Sequence, residues 1–204
     1  MLNKEVAKKE KVVIIDYGAG NIQSLKFALQ RQGYNGILSH DPEEIASADK
    51  VIFPGVGEAG TAMEMLKASE LDLLIPQLTQ PVLGICLGMQ LMCRYSEEGN
   101  TTGLGIFEVE VKRFNNTVKV PQIGWNQIFD LQSPLFEGVK ENDFIYMVHS
   151  FYAPECSETI SRTDYGTVYS SALHKGNFYG LQFHPEMSGI TGERILENFL
   201  RIEP

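Results

Sequence analysis

Residues 81–90 read Pro81-Val82-Leu83-Gly84-Ile85-Cys86-Leu87-Gly88-Met89-Gln90. The apolar run before Cys86 has the length of a buried strand, and residues 89–95 have the pattern of a helix. A cysteine between two glycines at such a turn fits the nucleophile-elbow pattern, with Cys in place of Ser. The glycines permit close backbone approach, and the helix N-terminus favours a thiolate. The alternative is a buried structural cysteine, because free cysteines are commonly buried.

The residues before this elbow alternate between strands and helices. Buried strands are predicted at 11–16, 36–39 and 50–53. Helices are predicted from Asn21, from Asp41 and from about Thr61, with Asn21 and Asp41 as N-caps and Glu44 completing a capping box. The repeated alternation predicts an α/β fold, in which a mostly parallel, open, twisted sheet is flanked by helices.

The pattern changes after about residue 99. Alternating apolar and polar residues predict a half-exposed strand at 107–112, with 117–120 as its hairpin partner. Further strands are predicted at 144–148, 159–163, 168–173 and 178–183, and a closing helix is predicted at 191–202. They indicate an additional antiparallel strand region in the second half. Because no linker separates the halves, we predict a flexible tail at 1–10 and a single domain at 11–204.

Composition narrows the function classes. The net charge of −9 disfavours a nucleic-acid partner and an anionic membrane surface. Cys86, Cys93 and Cys156 form no C-x-x-C pair, which fits a reducing compartment. The polar residues 1–11 do not resemble a secretory signal, and no apolar run has the length of a membrane span. We therefore expect a cytoplasmic protein.

Residues 55–60 match the G-x-G-x-x-G pattern of a dinucleotide site. That fingerprint requires an acidic residue about twenty positions later, at the end of the next strand. The next predicted strand instead ends at Cys86, with no acid in residues 77–81 before it, which disfavours a nucleotide. A second interpretation is that backbone N–H groups of Val56 and Gly57 and that of Leu87 form an oxyanion hole beside the cysteine.

A cysteine nucleophile needs a base, and the chain has four histidines. His40 and His174 lie among polar turn residues, whereas His149 and His184 follow predicted strands, where α/β sites gather. His184 is favoured, because Glu186 can orient its imidazole as the third member of a triad. A metal site on the same pair is disfavoured, since neither paired Cys ligands nor an H-E-x-x-H pattern accompanies it. No cofactor is predicted.

Three motifs, at residues 54–57, 84–90 and 180–186, together resemble the class I glutamine amidotransferase family. They occur in the family's order and at its usual spacing, and the resemblance extends from about residue 11 to the end. Two further segments, 16–24 and 121–126, the latter taken with 148–151, are similar to the glutaminase subunits of imidazole glycerol phosphate synthases, which act in histidine biosynthesis.

The resemblance implies a role for each matching residue. Cys86 would attack the glutamine amide, His184 would pass a proton to the departing ammonia, and Glu186 would orient His184. The implied oxyanion donors belong to Val56, Gly57 and Leu87. The implied substrate contacts are Gly55, Gln90, His149, Ser150 and Phe151. The implied partner-interface residues are Asn21, Trp125 and Asn126.

A partner subunit is expected as well. The predicted elements account for nearly all residues, which leaves none for a second site that accepts ammonia. The resemblance implies a heterodimer with a (β/α)₈-barrel cyclase subunit. Two positions depart from the family pattern, with Gln122 in place of His and Met187 in place of Lys. A paralogous glutaminase that serves a different synthase, and a non-catalytic regulatory protein on the same fold, are the alternatives.

Overall fold

The computed structural model describes residues 10–18 and 21–203. The tail predicted at 1–10 lies outside this range except for Glu10, which pairs with the buried Lys50. The strands are β1 (Val12–Ile15), β2 (Ile37–Ser39), β3 (Lys50–Gly55), β4 (Val82–Cys86), β5 (Cys93–Ser96), β6 (Thr101–Thr102), β7 (Phe107–Arg113), β8 (Gln122–Gln127), β9 (Phe144–His149), β10 (Phe151–Tyr152), β11 (Thr159–Asp164), β12 (Val168–Lys175) and β13 (Phe178–Leu181). The α-helices are α1 (Ile22–Arg31), α2 (Pro42–Ala46), α3 (Ala59–Ala68), α4 (Leu71–Leu74), α5 (Leu87–Met92) and α6 (Gly189–Arg201).

A seven-stranded sheet forms the centre of the molecule, in the order β11-β12-β13-β4-β3-β1-β2. The five strands from β13 to β2 are parallel, whereas β11, β12 and β13 pair antiparallel. This arrangement confirms the predicted α/β fold with its antiparallel region. Since β4 lies between β3 and β13, the segments that follow these three strands meet at one edge of the sheet.

The core fills both faces of this sheet. Every residue of β1 and β4 is buried, as expected for parallel strands covered on both sides. The helix α1 buries Leu25, Ala28 and Leu29, and α6 buries Ile195, Leu196 and Phe199. No helix in the described part of the chain is long and apolar enough to cross a membrane.

Several local predictions were wrong. The helix after the elbow ends at Met92, and residues 93–96 form β5, which pairs in parallel with β7. Residues 117–120 form no strand, because β7 pairs with β5 and β10 instead. In both places pairing with a distant segment overrides the local pattern.

The predicted helix caps were also only partly correct. The Asp41 carboxylate accepts a hydrogen bond from the Glu43 N–H, as predicted for an N-cap. The capping box with Glu44 does not form, since the Asp41 N–H donates to the Ser39 hydroxyl. The Asn21 side chain makes no capping hydrogen bond.

Candidate active site

Cys86 occupies a strained turn between β4 and α5. Its φ of 53° and ψ of −111° lie in a region that non-glycine residues rarely adopt. The turn is tight on both sides: a Cβ added at Gly88 would overlap the carbonyl oxygen of Phe53, and one at Gly84 would lie 2.9 Å from the backbone nitrogen of Met89. The close packing therefore explains both glycines and holds the thiol at the carboxyl edge of the sheet.

His184 follows β13, the neighbour of β4, and begins the 3-10 turn Pro185–Met187. Its Nδ1 lies 2.9 Å from Oε1 of Glu186, and both side chains are buried. Its backbone N–H donates to the carbonyl of Tyr146, which ties it to β9. Neither His184 Nε2 nor Glu186 Oε2 has a hydrogen-bond partner among the described residues. The imidazole thus has one nitrogen oriented by Glu186 and one left for a reacting group.

The electrostatics favour a charged imidazole. Burial disfavours the imidazolium of His184, but its interactions with Cys86 and Glu186 outweigh burial and raise the pKa of His184 to about 10. Although no hydrogen bond of normal geometry joins Cys86 to His184, the thiol is close enough to contribute to this shift. A thiolate facing an imidazolium is the arrangement that a cysteine nucleophile requires.

A cavity of about 290 Å³ opens beside the thiol. Its lining includes four of the five predicted substrate contacts and all three predicted oxyanion residues. These are Gln90, His149, Ser150, Phe151, Val56, Gly57 and Leu87. The fifth predicted contact, Gly55, instead lines a narrow crevice behind the triad, together with Asn21 and Glu186. The structure therefore gathers the predicted residues around one thiol.

The segment after β3 lies directly beside the nucleophile. Gly55 is paired with Cys86 across the sheet, and a Cβ on Gly55 would lie 2.6 Å from the backbone nitrogen of Gly88. Gly57 has a φ of 102°, which favours glycine.

The N-terminal amides of α3 are occupied: Glu58 accepts from two of them and Glu98 from a third. These carboxylates would repel a pyrophosphate, which argues against the dinucleotide interpretation.

The polar side chains of Gln182 and Glu98 belong to the site but were not predicted. Gln182 is fully buried; its Nε2 donates toward Cys86 Sγ at 3.8 Å and its Oε1 accepts from Gln90 at 2.9 Å. Glu98 lines the cavity, and burial raises the pKa of its carboxyl group. Gln182 and His184 are two residues apart in the segment that follows β13, and in extended backbone this spacing places both side chains on one side, a signal that was available from the sequence. Glu98 lies in an irregular turn and offered no comparable signal.

The strands β8 and β9 form a separate two-stranded antiparallel ribbon, which we call the ribbon. One face is buried and the other is open. The open face carries Ile123, Trp125, Phe144 and Val148, which are 37–61% exposed. The carbonyl oxygen of Val148 lies 3.9 Å from Cys86 Sγ. The ribbon therefore presents an apolar surface whose edge reaches the cavity.

The three predicted interface residues do not share one face. Trp125 is 55% exposed on the open face of the ribbon. Asn126 lies on the opposite face, where its Nδ2 donates to the carbonyl of Asp164. Asn21 is exposed and borders the crevice behind the triad. Of the two departures from the family pattern, Gln122 is buried and Met187 is 41% exposed.

Comparisons with known proteins identify the family. The model of the family "Glutamine amidotransferase class-I" matches residues 13–202. The chain belongs to the class I glutamine amidotransferase family. Within the family, it is 58% identical to "Imidazole glycerol phosphate synthase subunit HisH" of Bacteroides thetaiotaomicron, over 93% of this chain and 98% of that one. The HisH subunit of Yersinia pestis is 45% identical, over 94% and 99% of the two chains.

Solved structures agree with this family at the level of the fold. A putative GMP synthase subunit from Thermoplasma acidophilum superposes with a TM-score of 0.74 at 18% identity, covering 95% of this chain and 93% of that one. PurLQS from Thermotoga maritima gives a TM-score of 0.74 at 17% identity, covering 95% and 98%. At these identities the class I glutamine amidotransferase chain shares its fold with both.

Proposed function

We propose that this protein hydrolyses glutamine to glutamate and ammonia with the triad Cys86, His184 and Glu186, and that a separate cyclase subunit uses the ammonia. The observation that carries the proposal is the triad at the cavity wall. His184 has one nitrogen bonded to Glu186 and the other without a partner among the described residues, beside a thiol on a strained elbow.

The chemistry follows from these positions. The Cys86 thiolate attacks the amide carbon of glutamine, and backbone N–H groups of Leu87 and of the Val56–Gly57 segment bind the developing oxyanion. His184 gives its Nε2 proton to the departing nitrogen, so the C–N bond breaks and ammonia leaves a glutamyl thioester. His184 then takes a proton from water, which attacks the thioester and releases glutamate and the thiolate. Glu186 keeps Nδ1 of His184 protonated and oriented throughout.

The cavity suits the amino-acid end of glutamine. The Glu98 carboxylate supplies a negative charge for the α-ammonium group. The backbone of residues 149–151 would hold the α-carboxylate of the substrate, and the side-chain oxygen of Gln90 would accept from its α-ammonium group. Gly55 supports this wall through its contact with the elbow.

We further propose that the acceptor is a (β/α)₈-barrel cyclase and that the complex forms imidazole glycerol phosphate in histidine biosynthesis in the cytoplasm. The relatives are named as subunits of imidazole glycerol phosphate synthase, which supports this assignment over a different synthase. The exposed apolar face around Trp125, next to the cavity, is suited to a protein partner. Asn21 would contact the partner at the crevice behind the triad, and Asn126 would hold the ribbon in place.

The triad is tested by reacting the protein with a glutamine-mimicking electrophile and mapping the adduct by mass spectrometry. We expect modification at Cys86, protection by glutamine, and no adduct in Cys86→Ser. The buried Cys93 and the half-buried Cys156 serve as internal controls, because burial raises the pKa of both thiols. A label on Cys93 or Cys156 with Cys86 unmodified would refute the assignment.

The partner is tested by measuring ammonia release in the presence and absence of the cyclase and its ribotide ligand. We expect glutamine turnover to rise when both are present. An equally fast rate in the isolated chain would contradict partner control, and activation by an unrelated synthase would favour the paralogous alternative.

A further inference from the structure

A chain of hydrogen bonds runs from the buried face of the ribbon to the nucleophile. The Tyr169 hydroxyl lies 2.9 Å from Oε1 of Gln122 and 3.2 Å from Nε2 of His149. Nδ1 of His149 lies 2.8 Å from the carbonyl oxygen of Phe151. The same oxygen accepts from Gln90 Nε2 at 2.9 Å, which links the chain through Gln182 to Cys86 Sγ. Gln122, Tyr169, Gln90, Gln182 and His149 are all buried.

The tautomer of His149 follows from this chain. Burial lowers the pKa of His149 to about 4, so its ring is neutral near pH 7 and carries one N–H. That hydrogen must be on Nδ1, because Nδ1 faces a carbonyl oxygen, which only accepts. Nε2 is then a buried acceptor, and the Tyr169 hydroxyl lies within hydrogen-bond distance of it. Burial raises the pKa of Tyr169, so its hydroxyl keeps its proton and can donate to Nε2.

The role of Gln122 follows in turn. Tyr169 has one hydroxyl hydrogen and cannot donate to both His149 and an oxygen of Gln122. The conflict disappears when the Gln122 carboxamide is turned over, so that its N–H₂ group takes the place of Oε1 and donates to the Tyr169 oxygen. The two ends of a carboxamide have the same shape, so both orientations fit the site. Every bond of the chain then has one donor and one acceptor.

We propose that Tyr169 and Gln122 are positioning residues for the proposed glutaminase, fixing the Nδ1–H tautomer of His149 and thereby the Phe151 carbonyl and the Gln90 amide in the substrate cavity. Both hydrogens of Gln90 Nε2 are used, one on Phe151 and one on Gln182. The oxygen of Gln90 is therefore the end left for substrate. This inference rests on the proposed function for its kinetic consequence but not for its structural one.

The structural consequence is tested by ¹⁵N NMR of the histidine rings of the whole chain, with the His149 signals assigned by loss in His149→Gln. We expect a neutral ring with hydrogen on Nδ1 at pH 7 and no titration down to about pH 5. A ring with hydrogen on Nε2, or one that titrates near pH 6.5, would overturn the proposal even if Cys86 proved to be a glutaminase nucleophile. If instead His149 shows the expected tautomer but the chain has no glutaminase activity, the structural inference stands and the proposed function fails.

The kinetic consequence is tested with Tyr169→Phe, which removes the donor to His149. We expect KM for glutamine to rise about tenfold and kcat to change less than about threefold, the scale of one buried hydrogen bond. The matched control is Tyr152→Phe: its ring contacts the same aromatic cluster, and its hydroxyl makes no hydrogen bond within the described chain. An unchanged KM in Tyr169→Phe, or an equal rise in the control, would refute the positioning role.

Gln122→Glu provides a second, nearly isosteric test. A carboxylate at this position accepts from Tyr169 and withdraws the hydroxyl hydrogen from His149. We expect the same rise in KM and a His149 signal that titrates closer to its ordinary range. Gln122→His keeps an N–H donor and should retain a KM within about threefold of the unmodified protein. Equal kinetics in the Glu and His variants would contradict the donor role of Gln122.

Discussion

The elbow and the ribbon meet at the same thiol but are held in opposite ways. All residues of β4 and α5 are buried, and Gly84 and Gly88 leave no room for a Cβ. The ribbon stands outside the seven-stranded sheet and exposes one apolar face. The nucleophile is therefore fixed by the core of the fold, whereas the wall opposite it is held by an element that a partner can reach. If the proposed partner binds the open face of the ribbon, it contacts a wall of the cavity and not the strand that carries the sulfur.

The largest effect should come from disturbing the elbow with Gly88→Ala. The new Cβ would overlap the Phe53 carbonyl, which is backbone in β3 and cannot move aside cheaply. We expect the free energy of unfolding to fall by at least about 3 kcal/mol and glutamine turnover to be lost. Urea unfolding followed by circular dichroism measures the first change.

Gly60→Ala is the control for this substitution. Gly60 lies in α3, and its nearest neighbour is the flexible Glu58 side chain at 3.0 Å. We expect Gly60→Ala to change stability by less than about 1 kcal/mol. If the two alanine variants are equally stable, the elbow is not fixed by close packing and the contrast with the ribbon fails.

A smaller change in the free energy of unfolding is expected when pH is lowered, because His149 lies on the buried face of the ribbon. Burial lowers the pKa of His149 to about 4, so protons bind this residue more readily in the unfolded chain. Its contribution to stability is complete above about pH 6.5 and is lost as pH falls toward 4, with a total of about 3 kcal/mol.

This pH dependence is measured by urea unfolding at a series of pH values. His149→Gln should lose less stability than the unmodified protein between pH 6.5 and 4. The exposed His40 provides the control, and His40→Gln should follow the unmodified profile. Parallel curves for all three proteins would show that His149 is not a buried neutral group.

The same contrast explains which features could be predicted from sequence. The elbow is local: strand, cysteine, glycines and helix are adjacent in the chain, so the pattern at 82–88 was sufficient to predict it. His184 and Glu186 could be predicted as triad partners because they are two residues apart after a strand, and the structure brings their side chains within hydrogen-bond distance. The parallel sheet followed from runs of apolar residues with a regular alternation of helices.

The ribbon and its hydrogen bonds depend on contacts between distant segments. Residues 122–127 were not predicted as a strand, and 117–120 were wrongly paired with β7. The bond from Tyr169 to His149 joins residues twenty positions apart, and that from Gln90 to Gln182 joins residues ninety-two apart. No local period encodes such pairs, because they form only when the sheet order is set. The roles given to individual site residues remain predictions.

We expect the open face of the ribbon to contribute to binding of the cyclase subunit and to contribute little to the stability of the fold. Trp125→Ala removes an exposed aromatic side chain at the centre of the apolar face. We expect binding to the cyclase subunit to weaken about 30-fold, or about 2 kcal/mol, as for an aromatic hot spot. Unfolding free energy should change by less than about 0.5 kcal/mol.

Isothermal titration calorimetry of the two subunits measures this change. Leu73→Ala is the matched control: Leu73 is 63% exposed on α4, which precedes β4 and lies away from its carboxyl end. It should leave binding unchanged. Equal affinities for Trp125→Ala and Leu73→Ala would move the partner surface away from the ribbon.

The smallest effect is expected from Asn126→Ala, one residue away but on the opposite face. Its Nδ2 donates to the Asp164 carbonyl at 3.0 Å, which ties β8 to the end of β11. Its Oδ1 also accepts from the adjacent Gln127 N–H, and both hydrogen bonds are exposed to solvent. We expect stability to fall by about 1 kcal/mol while cyclase affinity changes less than about threefold. The two neighbouring variants should therefore show opposite patterns when they are measured together: Trp125→Ala loses affinity and Asn126→Ala loses stability. A larger loss of affinity in Asn126→Ala would instead place Asn126 at the interface and show that both faces of the ribbon respond to the partner.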